Sequence, residues 1–229
     1  MKRNDTTLKH VALIMDGNRT WATQRNLPKL VGHTEGTKSF KKIIKEAVKN
    51  DIPYITFWAL STENLKNRSE KELKHLFSLF NKLIKYLDDL KKENIRFNII
   101  GDLEKIPQEV KNNLLHLKEK TKDQTGTVLT LAVNYGGRDE IVRAINKMLS
   151  QNITTINEAQ VNDFLDTAQL PDVDLIIRTS DHQRLSGYLP WQSTYAELYF
   201  TKTKWPAFKE KNFNQAIDWF FEQKRNKGK

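Results

Sequence analysis

Residues Val11–Met15 form an uninterrupted apolar run, VALIM, and the polar triplet Asp16-Gly17-Asn18 follows it directly. Five consecutive apolar residues predict a buried strand, and the triplet is a poor strand former, so the strand must end there. In an open α/β sheet, ligands bind outside the carboxyl ends of the strands. The run therefore predicts a place for a ligand site as well as a strand.

The triplet supports two interpretations of Asp16. Gly17 lets a ligand approach the backbone closely, and a following helix would point its N-terminal N–H groups at an anion. Asp16 would then hold a hard cation such as Mg²⁺ beside that anion. Alternatively, Asp16 only caps that helix. This segment alone favours neither.

Short apolar runs alternate with amphipathic stretches along the rest of the chain. Strands are predicted at Val11–Met15, Tyr54–Leu60, Phe97–Ile100, Val128–Val133, Leu175–Ile177 and Leu198–Phe200, and helices at Thr34–Lys49, Glu70–Lys92, Gln108–Lys122, Arg138–Leu149, Asn157–Leu165 and Asn212–Phe221. Because strands and helices alternate, we expect one α/β domain over residues 1–229, with a mainly parallel sheet covered on both faces.

The composition limits the classes of partner. The chain has 229 residues and a formal net charge of +10, which suits a polyanion, an anionic membrane surface or phosphorylated substrates. Much of the excess is lysine spread along the predicted helices, as at Lys38, Lys41, Lys42, Lys45 and Lys49, and such spacing is typical of a solvated face. No helix combines a basic stripe with aromatic residues, so nucleic-acid binding is not expected. A shift in DNA or RNA mobility that depends on salt would reopen that possibility.

Two further features bear on location. There is no cysteine, which excludes disulfides and thiol chemistry and fits a reducing compartment. The first ten residues are polar, and no run approaches eighteen apolar residues, so neither a signal peptide nor a membrane span is predicted. The expected location is cytoplasmic.

The stretch Glu70–Lys92 carries a broad apolar stripe at helical spacing, from Leu73 to Leu87. Such a face is usually part of the core. If it instead lines a cavity beside Asp16, the result is a hydrophobic tunnel next to an anion pocket, which suits an amphiphile with a charged head. Trp58 would shorten such a tunnel if its side chain pointed inward, and strand alternation does not show which way it points.

Polar residues also follow other predicted strands. Ser61-Thr62-Glu63-Asn64 by itself looks like a capped helix start. Arg178, with Arg184 and Ser186 close behind, offers arginines and a hydroxyl suited to gripping a phosphate, or else structural ion pairs. Glu197 places a carboxylate in an apolar run, where it needs a metal or an arginine as partner.

The segments His10–Ala22, Ala59–Asn64, Asn134–Asp139 and Asp174–Phe200 together resemble the sequence blocks of the cis-prenyltransferase family, of the undecaprenyl diphosphate synthase type. The resemblance extends over nearly the whole chain. It implies a single α/β domain with a six-stranded, mostly parallel sheet, a hydrophobic tunnel beside the diphosphate sites, and a homodimer. It also implies Mg²⁺-dependent addition of isopentenyl diphosphate to an allylic diphosphate in the cis configuration.

The resemblance also implies roles for individual residues. Asp16 matches the aspartate that binds Mg²⁺ and the allylic diphosphate, Asn64 the asparagine assigned to proton removal, and Glu197 a second metal-binding carboxylate. The residues expected to bind substrate are Gly17, Asn18, Arg19, Thr20, Trp21, Lys29, His33, Ser61, Thr62, Glu63, Leu65, Arg68, Arg178, Arg184, Leu185 and Ser186.

Several positions depart from the family pattern. Thr20 and Lys29 stand where arginines are usual, Leu65 replaces an aromatic residue, and His182 replaces a glutamate. A one-residue insertion leaves Arg68, or else Asn67, in place of the usual arginine, and the C-terminal arginine-x-glycine element is altered to Asn226-Lys227-Gly228. Since lysine lacks the planar fork of arginine, we expect weaker or altered recognition of the allylic substrate.

The predicted function is synthesis of a polyprenyl diphosphate, a lipid carrier for envelope glycan synthesis, with farnesyl diphosphate as the expected starter. The enzyme is expected to contact the inner face of the membrane during product release. Two alternatives stay open: a non-catalytic partner subunit of another prenyltransferase, and an enzyme of the same fold that joins two allylic units.

Overall fold

The computed structural model describes residues 2–3 and 6–225. The strands are β1 (Lys2–Arg3), β2 (Thr6–Thr7), β3 (His10–Ile14), β4 (Tyr54–Ser61), β5 (Arg96–Ile100), β6 (Val128–Tyr135), β7 (Leu175–Arg178) and β8 (Glu197–Phe200). The first two form a small antiparallel ribbon. The other six form one sheet in the order β5-β6-β4-β3-β7-β8, and every adjacent pair is parallel. The predicted single α/β domain with a six-stranded parallel sheet is confirmed.

Helices connect the strands as the alternating pattern predicts. They are α1 (Asn18–Thr23), α2 (Lys29–Lys49), α3 (Thr62–Asn67), α4 (Glu70–Asn81), α5 (Leu87–Lys92), α6 (Gln108–Lys120), α7 (Gly137–Ser150), α8 (Glu158–Phe164) and α9 (Glu210–Glu222), with 3₁₀ turns at Lys82–Tyr86, Leu103–Lys105 and Trp205–Ala207. In the described part of the chain, no helix is long and apolar enough to span a bilayer.

The main core lies between one face of the sheet and helices α2, α4, α6 and α9. Val11 and Leu13 of β3 point into it, as do Phe57 of β4 and Phe213 of α9, and all four are almost completely buried. The alternate β3 residues, Ala12 and Ile14, are buried on the other face. Burial on both faces explains why Val11–Ile14 are all apolar.

The predicted continuous helix Glu70–Lys92 is wrong. The chain forms α4, then a 3₁₀ turn at Lys82–Tyr86, and then α5. The turn has the sequence KLIKY, with no glycine or proline to mark the break. The apolar stripe continues through it, so periodicity alone does not reveal the change of helix type.

Helix α2 begins at Lys29, five residues before the predicted start at Thr34, with Pro28 as its N-cap. The early turns contain two glycines, which lower helix propensity. A Cβ atom at Gly32 would lie 1.9 Å from the carbonyl oxygen of Asn18. Gly32 is therefore required by the close approach of α1 to α2. Residues Asn226-Lys227-Gly228 lie outside the described residues.

Candidate active site

The carboxyl ends of β4, β3 and β7 bring together three of the predicted polar segments. Ile14 near the end of β3 pairs with Trp58 of β4 on one side and with Arg178 of β7 on the other. Asp16, two residues beyond Ile14, therefore lies between Ser61 and the segment that follows Arg178. The convergence follows from strand order, which places these three strands side by side.

Asp16 is held from two sides. Its Oδ2 atom accepts a hydrogen bond from Arg178 Nη2 at 3.0 Å and lies 3.3 Å from His182 Nδ1, while Oδ1 accepts from the Gly17 N–H at 2.7 Å. The N-cap of α1 is Gly17, and no side chain caps the helix, so the capping interpretation of Asp16 is not supported. The Asp16 side chain is 35% exposed and faces the cavities described below.

Gly17 has a φ of +95°, in the left-handed region that favours glycine. A Cβ atom there would lie 2.8 Å from Ser180 Cβ. The turn after Asp16 is therefore packed directly against the segment after β7. This packing fixes the direction of the Asp16 carboxylate relative to that segment.

A polar cavity of about 350 Å³ lies beside Asp16. Its cationic lining residues are Arg19, Lys29 and Arg68, and Asp16 is the only acidic residue among those that line it. Gly17, Asn18, Thr20 and His33 complete the predicted residues in the lining. Three cations facing one carboxylate form a site for an anion with more than one negative charge.

Two of the three cations of this cavity, Arg19 and Arg68, lie against Glu72, a buried residue of α4. Its Oε1 atom accepts a hydrogen bond from Arg68 Nη1 at 3.1 Å, lies 3.3 Å from His33 Nε2, and lies 3.8 Å from Arg19 Nε. Burial lowers the pKa of His33 to about 4, and the Arg68 charge also contributes. The imidazole is therefore neutral at pH 7, and its Nε2 lies 3.3 Å from Arg68 Nη1.

Arg178, Arg184 and Ser186 form a second cationic group. The side chain of Arg178 is only 6% exposed. Besides Asp16, Arg178 donates from Nη1 to Ser186 Oγ at 2.9 Å and to the Arg184 carbonyl oxygen. The segment after β7 has a strained backbone. Four of its non-glycine residues have positive φ: Ser180, Asp181, Ser186 and Leu189. Such strain clusters at functional sites. Arg184 itself is exposed to solvent.

The segment after β4 forms the short helix α3. Ser61 Oγ accepts a hydrogen bond from the Asn64 backbone N–H at 3.0 Å, so the capping interpretation of Ser61 is confirmed. Ser61, Glu63 and Asn64 nevertheless line the cavity next to Asp16. Leu65 packs against the main core. Thr62 lies against β6, because a Cβ atom at Gly136 would be 2.7 Å from Thr62 Oγ1.

A larger cavity of about 550 Å³ extends from the Asp16 site towards the core. Its mouth includes Asp16 and Arg178, and its inner wall includes Leu76, Phe80 and Leu83. The apolar stripe of α4 thus lines a cavity as well as contributing to the core. Polar groups lie at one end and apolar groups at the other, as an amphiphile requires.

Trp58 does not fill the inner end of this cavity. Its ring stacks on Tyr188 with centroids 4.8 Å apart, and its Nε1 donates to the Tyr135 carbonyl oxygen at 3.0 Å. Both tyrosines belong to the core cluster on the opposite face of the sheet from α2. Trp58 therefore reaches only the rim of the cavity.

Glu197 lies away from the other predicted site residues. It is the first residue of β8 and pairs with Leu175, whereas Phe200, three residues on, pairs with Arg178. At about 3.3 Å per residue, Glu197 is set back from Arg178 by roughly 10 Å along the strands. Its nearest charged partner is Arg225, with Nε 3.6 Å from Glu197 Oε1. Within one chain, Glu197 and Asp16 do not converge.

Two other residues predicted to bind substrate, Trp21 and Leu185, lie outside the lining of both cavities. Trp21 stacks under the Arg25 guanidinium, which is 4.4 Å from the ring centroid, and belongs to the lining of neither cavity. Leu185 packs against the core cluster around Tyr188.

Sequence reasoning missed Glu72 altogether. Its only signal was Ser69 three residues earlier, which indicates a helix start, and Ser69 does cap α4.

An open parallel sheet with a cationic site at its carboxyl edge, continuous with an apolar cavity, defines an enzyme that acts on phosphorylated amphiphiles. A family sequence model described as "Putative undecaprenyl diphosphate synthase" matches residues 14–228. The chain therefore belongs to the undecaprenyl diphosphate synthase family of cis-prenyltransferases.

Individual relatives agree with this assignment. The chain is 46% identical to an isoprenyl transferase of Clostridium perfringens over 93% of this chain and 87% of that one. It is 40% identical to a farnesyl-diphosphate-specific ditrans,polycis-undecaprenyl-diphosphate synthase of Buchnera aphidicola, over 96% and 91% of the two chains. Lavandulyl diphosphate synthase from Lavandula x intermedia, crystallised with dimethylallyl diphosphate, superposes with a TM-score of 0.92 at 32% identity, covering 96% of this chain and 98% of that one.

Proposed function

We propose that this chain condenses isopentenyl diphosphate with an allylic diphosphate, farnesyl diphosphate being the expected starter, to make a polyprenyl diphosphate lipid carrier. The observation that carries the proposal is the position of Asp16. It lines both the cationic cavity and the mouth of the apolar cavity. A substrate with its diphosphate in the first and its hydrocarbon in the second would place its reacting carbon beside Asp16.

The two cationic groups correspond to two diphosphates. In this proposal, Arg19, Lys29 and Arg68 bind the allylic diphosphate, and Arg178, Arg184 and Ser186 bind that of isopentenyl diphosphate. Arg68 lines both cavities and Arg178 lines the larger one, so each group presents a guanidinium to the space beside Asp16.

The residues present fit a Mg²⁺ ion bound jointly with diphosphate. The described residues contain no cluster of three or more histidine or acidic side chains. Mg²⁺ typically keeps several waters and takes one or two carboxylates plus substrate phosphates, so one carboxylate suffices. Asp16 would hold the ion, which when bound supplies charge stabilisation to the departing diphosphate. His182, 3.3 Å from Asp16, is the nearest further candidate ligand.

The chain's own residues would supply the rest of the catalysis. The allylic C–O bond breaks and its electron pair leaves with the diphosphate, the isopentenyl double bond forms the new C–C bond, and the proton lost from the new unit passes to the released diphosphate. Arginine and lysine donors stabilise the charge on the leaving diphosphate. The apolar cavity wall shields the allylic cation from water. Asn64 lines the cavity near its mouth, where its amide would orient the unit that loses the proton.

We further propose that the enzyme works as a homodimer in the cytoplasm and touches the inner face of the membrane when it releases product. A net charge of +10 supports attraction to an anionic lipid surface. Purified chain at physiological salt would then be a dimer in sedimentation and would bind vesicles that contain anionic lipid.

The test is direct. Purified protein is incubated with Mg²⁺, labelled isopentenyl diphosphate and farnesyl diphosphate, and the products are separated by chain length. A ladder or a single long product supports the proposal. No product with farnesyl, geranyl or dimethylallyl starters, from folded protein, would favour the non-catalytic partner subunit instead.

A second candidate is condensation of two allylic units. The superposition on lavandulyl diphosphate synthase favours it, although the curated relatives are closer in sequence. Incubation with dimethylallyl diphosphate alone separates the two functions. Product from that substrate without isopentenyl diphosphate would support the second candidate.

A further inference from the structure

A third cavity, of about 480 Å³, opens at the surface between α2 and the segment formed by the 3₁₀ turn at Lys82–Tyr86 and α5. Its floor is apolar and includes Phe97 of β5 and Leu129 of β6, which are both buried. Its rim is exposed and charged, and consists of Lys38, Lys41, Lys42, Lys45, Asp89 and Glu93. The cavity is therefore an apolar hollow whose mouth carries charge.

Lysines of one helix face form most of this rim. The four on α2 recur at intervals of three and four residues, which places their side chains on one side of the helix. In the sequence such spacing is typical of a solvated face. The structure shows that this face borders an apolar cavity, so the lysines lie beside hydrocarbon surface as well as water.

Ion pairs neutralise only part of the charge around the mouth. Lys38 pairs with Glu35 at 2.7 Å, and Lys42 pairs with Glu210 of α9 at 3.7 Å. Across α2 and residues 82–93, however, ten lysines stand against five acidic residues. The two banks of the cavity are therefore positive as a whole.

Lys41 shows how closely charge and apolar surface meet at the mouth. Its Nζ atom lies over the Tyr86 ring, 3.7 Å from the centroid, and donates to the Tyr86 hydroxyl. Tyr86 also lines the cavity. Because an aromatic ring carries no net charge, this contact holds the ammonium at the cavity edge without neutralising it.

We propose that this lysine-rimmed mouth is the surface by which the protein docks on a bilayer containing anionic phospholipid, with lipid headgroups on the lysines and lipid hydrocarbon against the apolar cavity. The proposal rests on the proposed function and assigns its membrane contact to one face of the molecule. A single buried hydrocarbon chain gives only marginal membrane binding, and stable attachment requires a second signal such as a polybasic patch. The mouth supplies both.

The apolar floor distinguishes a lipid from other anionic partners. A nucleic acid or another polyanion would use the lysines alone, because it has no hydrocarbon to place in the cavity. An apolar protein segment would use the cavity but would leave the lysines beside it without anionic partners. An anionic phospholipid matches both parts of the surface.

The first test is co-sedimentation of the purified chain with vesicles of phosphatidylglycerol and phosphatidylcholine. Lys41→Gln combined with Lys45→Gln should weaken binding about 30-fold, roughly fivefold for each lysine. The matched control is Lys105→Gln combined with Lys147→Gln, which removes the same charge. Both control lysines are exposed and line neither this cavity nor those beside Asp16. An equal loss in both double variants, or no binding by the wild-type chain, would overturn the proposal.

The second test locates the bilayer on the surface. Because the chain has no cysteine, a fluorophore can be attached at one introduced site. Asp89→Cys lies on the rim, and Asp163→Cys, also exposed, lies on α8 outside the cavity linings. Vesicles of brominated phosphatidylglycerol should quench the label at position 89 and not the label at position 163.

Quenching at both positions, or at position 163 alone, would overturn the proposal. A change at position 89 that grows with protein concentration in the absence of vesicles would show that a second copy of the chain covers the mouth, which also overturns it. Neither test requires turnover. A chain that binds vesicles as expected but makes no product would contradict the proposed function, whereas an active chain whose mouth ignores vesicles would contradict only the docking surface.

Discussion

Arg178 Nη2 donates a hydrogen bond to Asp16 Oδ2 at 3.0 Å, although the two residues are 162 positions apart in the chain. Arg178 also donates to Ser186, so one buried guanidinium joins the end of β7, the segment after it and the end of β3. One Asp16 oxygen is thereby fixed in direction while the side chain stays partly exposed. A carboxylate oriented in this way is prepared to bind a ligand without reorganising.

Replacing Asp16 with alanine should therefore abolish turnover, by about 10³-fold or more, because the carboxylate that holds the metal-bound diphosphate is lost. The fold should persist, since Ser186 and the Arg184 carbonyl still bind Arg178. Turnover is measured with farnesyl and isopentenyl diphosphates, and unfolding by circular dichroism. Asp16→Asn keeps the size and shape of the side chain and removes its negative charge, so it is the matched variant. Turnover retained in either variant would contradict the role assigned to Asp16.

A separate prediction concerns Lys29, at the start of α2, and the binding of the allylic diphosphate. It lines the cationic cavity as a point charge, where arginine would offer a planar pair of donors. The wild-type KM for farnesyl diphosphate should therefore be raised, and Lys29→Arg should lower it by about fivefold, equivalent to about 1 kcal/mol. Lys49→Arg, at the exposed far end of the same helix, is the control. An unchanged KM in Lys29→Arg would show that Lys29 does not limit binding.

The strands were predictable because buried parallel strands read as apolar runs, and all six predicted strands exist. The rule that ligands bind at the carboxyl ends of the strands predicted that Asp16 and Arg178 would lie at the same edge of the sheet. It did not predict their hydrogen bond, because the strand order decides which strand ends are neighbours. The break at Lys82–Tyr86 carries no sequence signal, and the helices α1 and α3 are too short to show periodicity. Glu72 was missed because its partners lie on three other segments.

Stability should fall as the pH drops from 6.5 towards 4, and His10 is one cause. Burial lowers the pKa of His10 to about 4, against 6.5 when exposed. Between these two pH values, His10 binds a proton in the unfolded chain but not in the folded chain, so protonation favours unfolding. The resulting loss of unfolding free energy is complete near pH 4 and absent above pH 6.5. The shift corresponds to about 3 kcal/mol.

His10→Gln should flatten this dependence, because glutamine does not titrate. Urea unfolding at pH 7 and pH 4.5 gives the free energies of unfolding of both proteins. His116→Gln, a substitution at an exposed site on α6, should leave the wild-type dependence unchanged. An equal loss of stability on acidification in wild type and His10→Gln would show that His10 is not responsible.

Within one chain, Glu197 is set back from Arg178 by roughly 10 Å along the strands, so a role as metal ligand requires its carboxylate to come from a second chain. If it does, an Asp16→Ala chain and a Glu197→Gln chain should each be inactive alone but active together. A mixed dimer then has one site in which both carboxylates are intact, and random pairing predicts about one quarter of wild-type turnover. The measurement is turnover after the two variants are unfolded together and refolded. If the mixture shows only the average of the separate activities, the carboxylate of Glu197 serves as the partner of Arg225, 3.6 Å away, and not as a ligand.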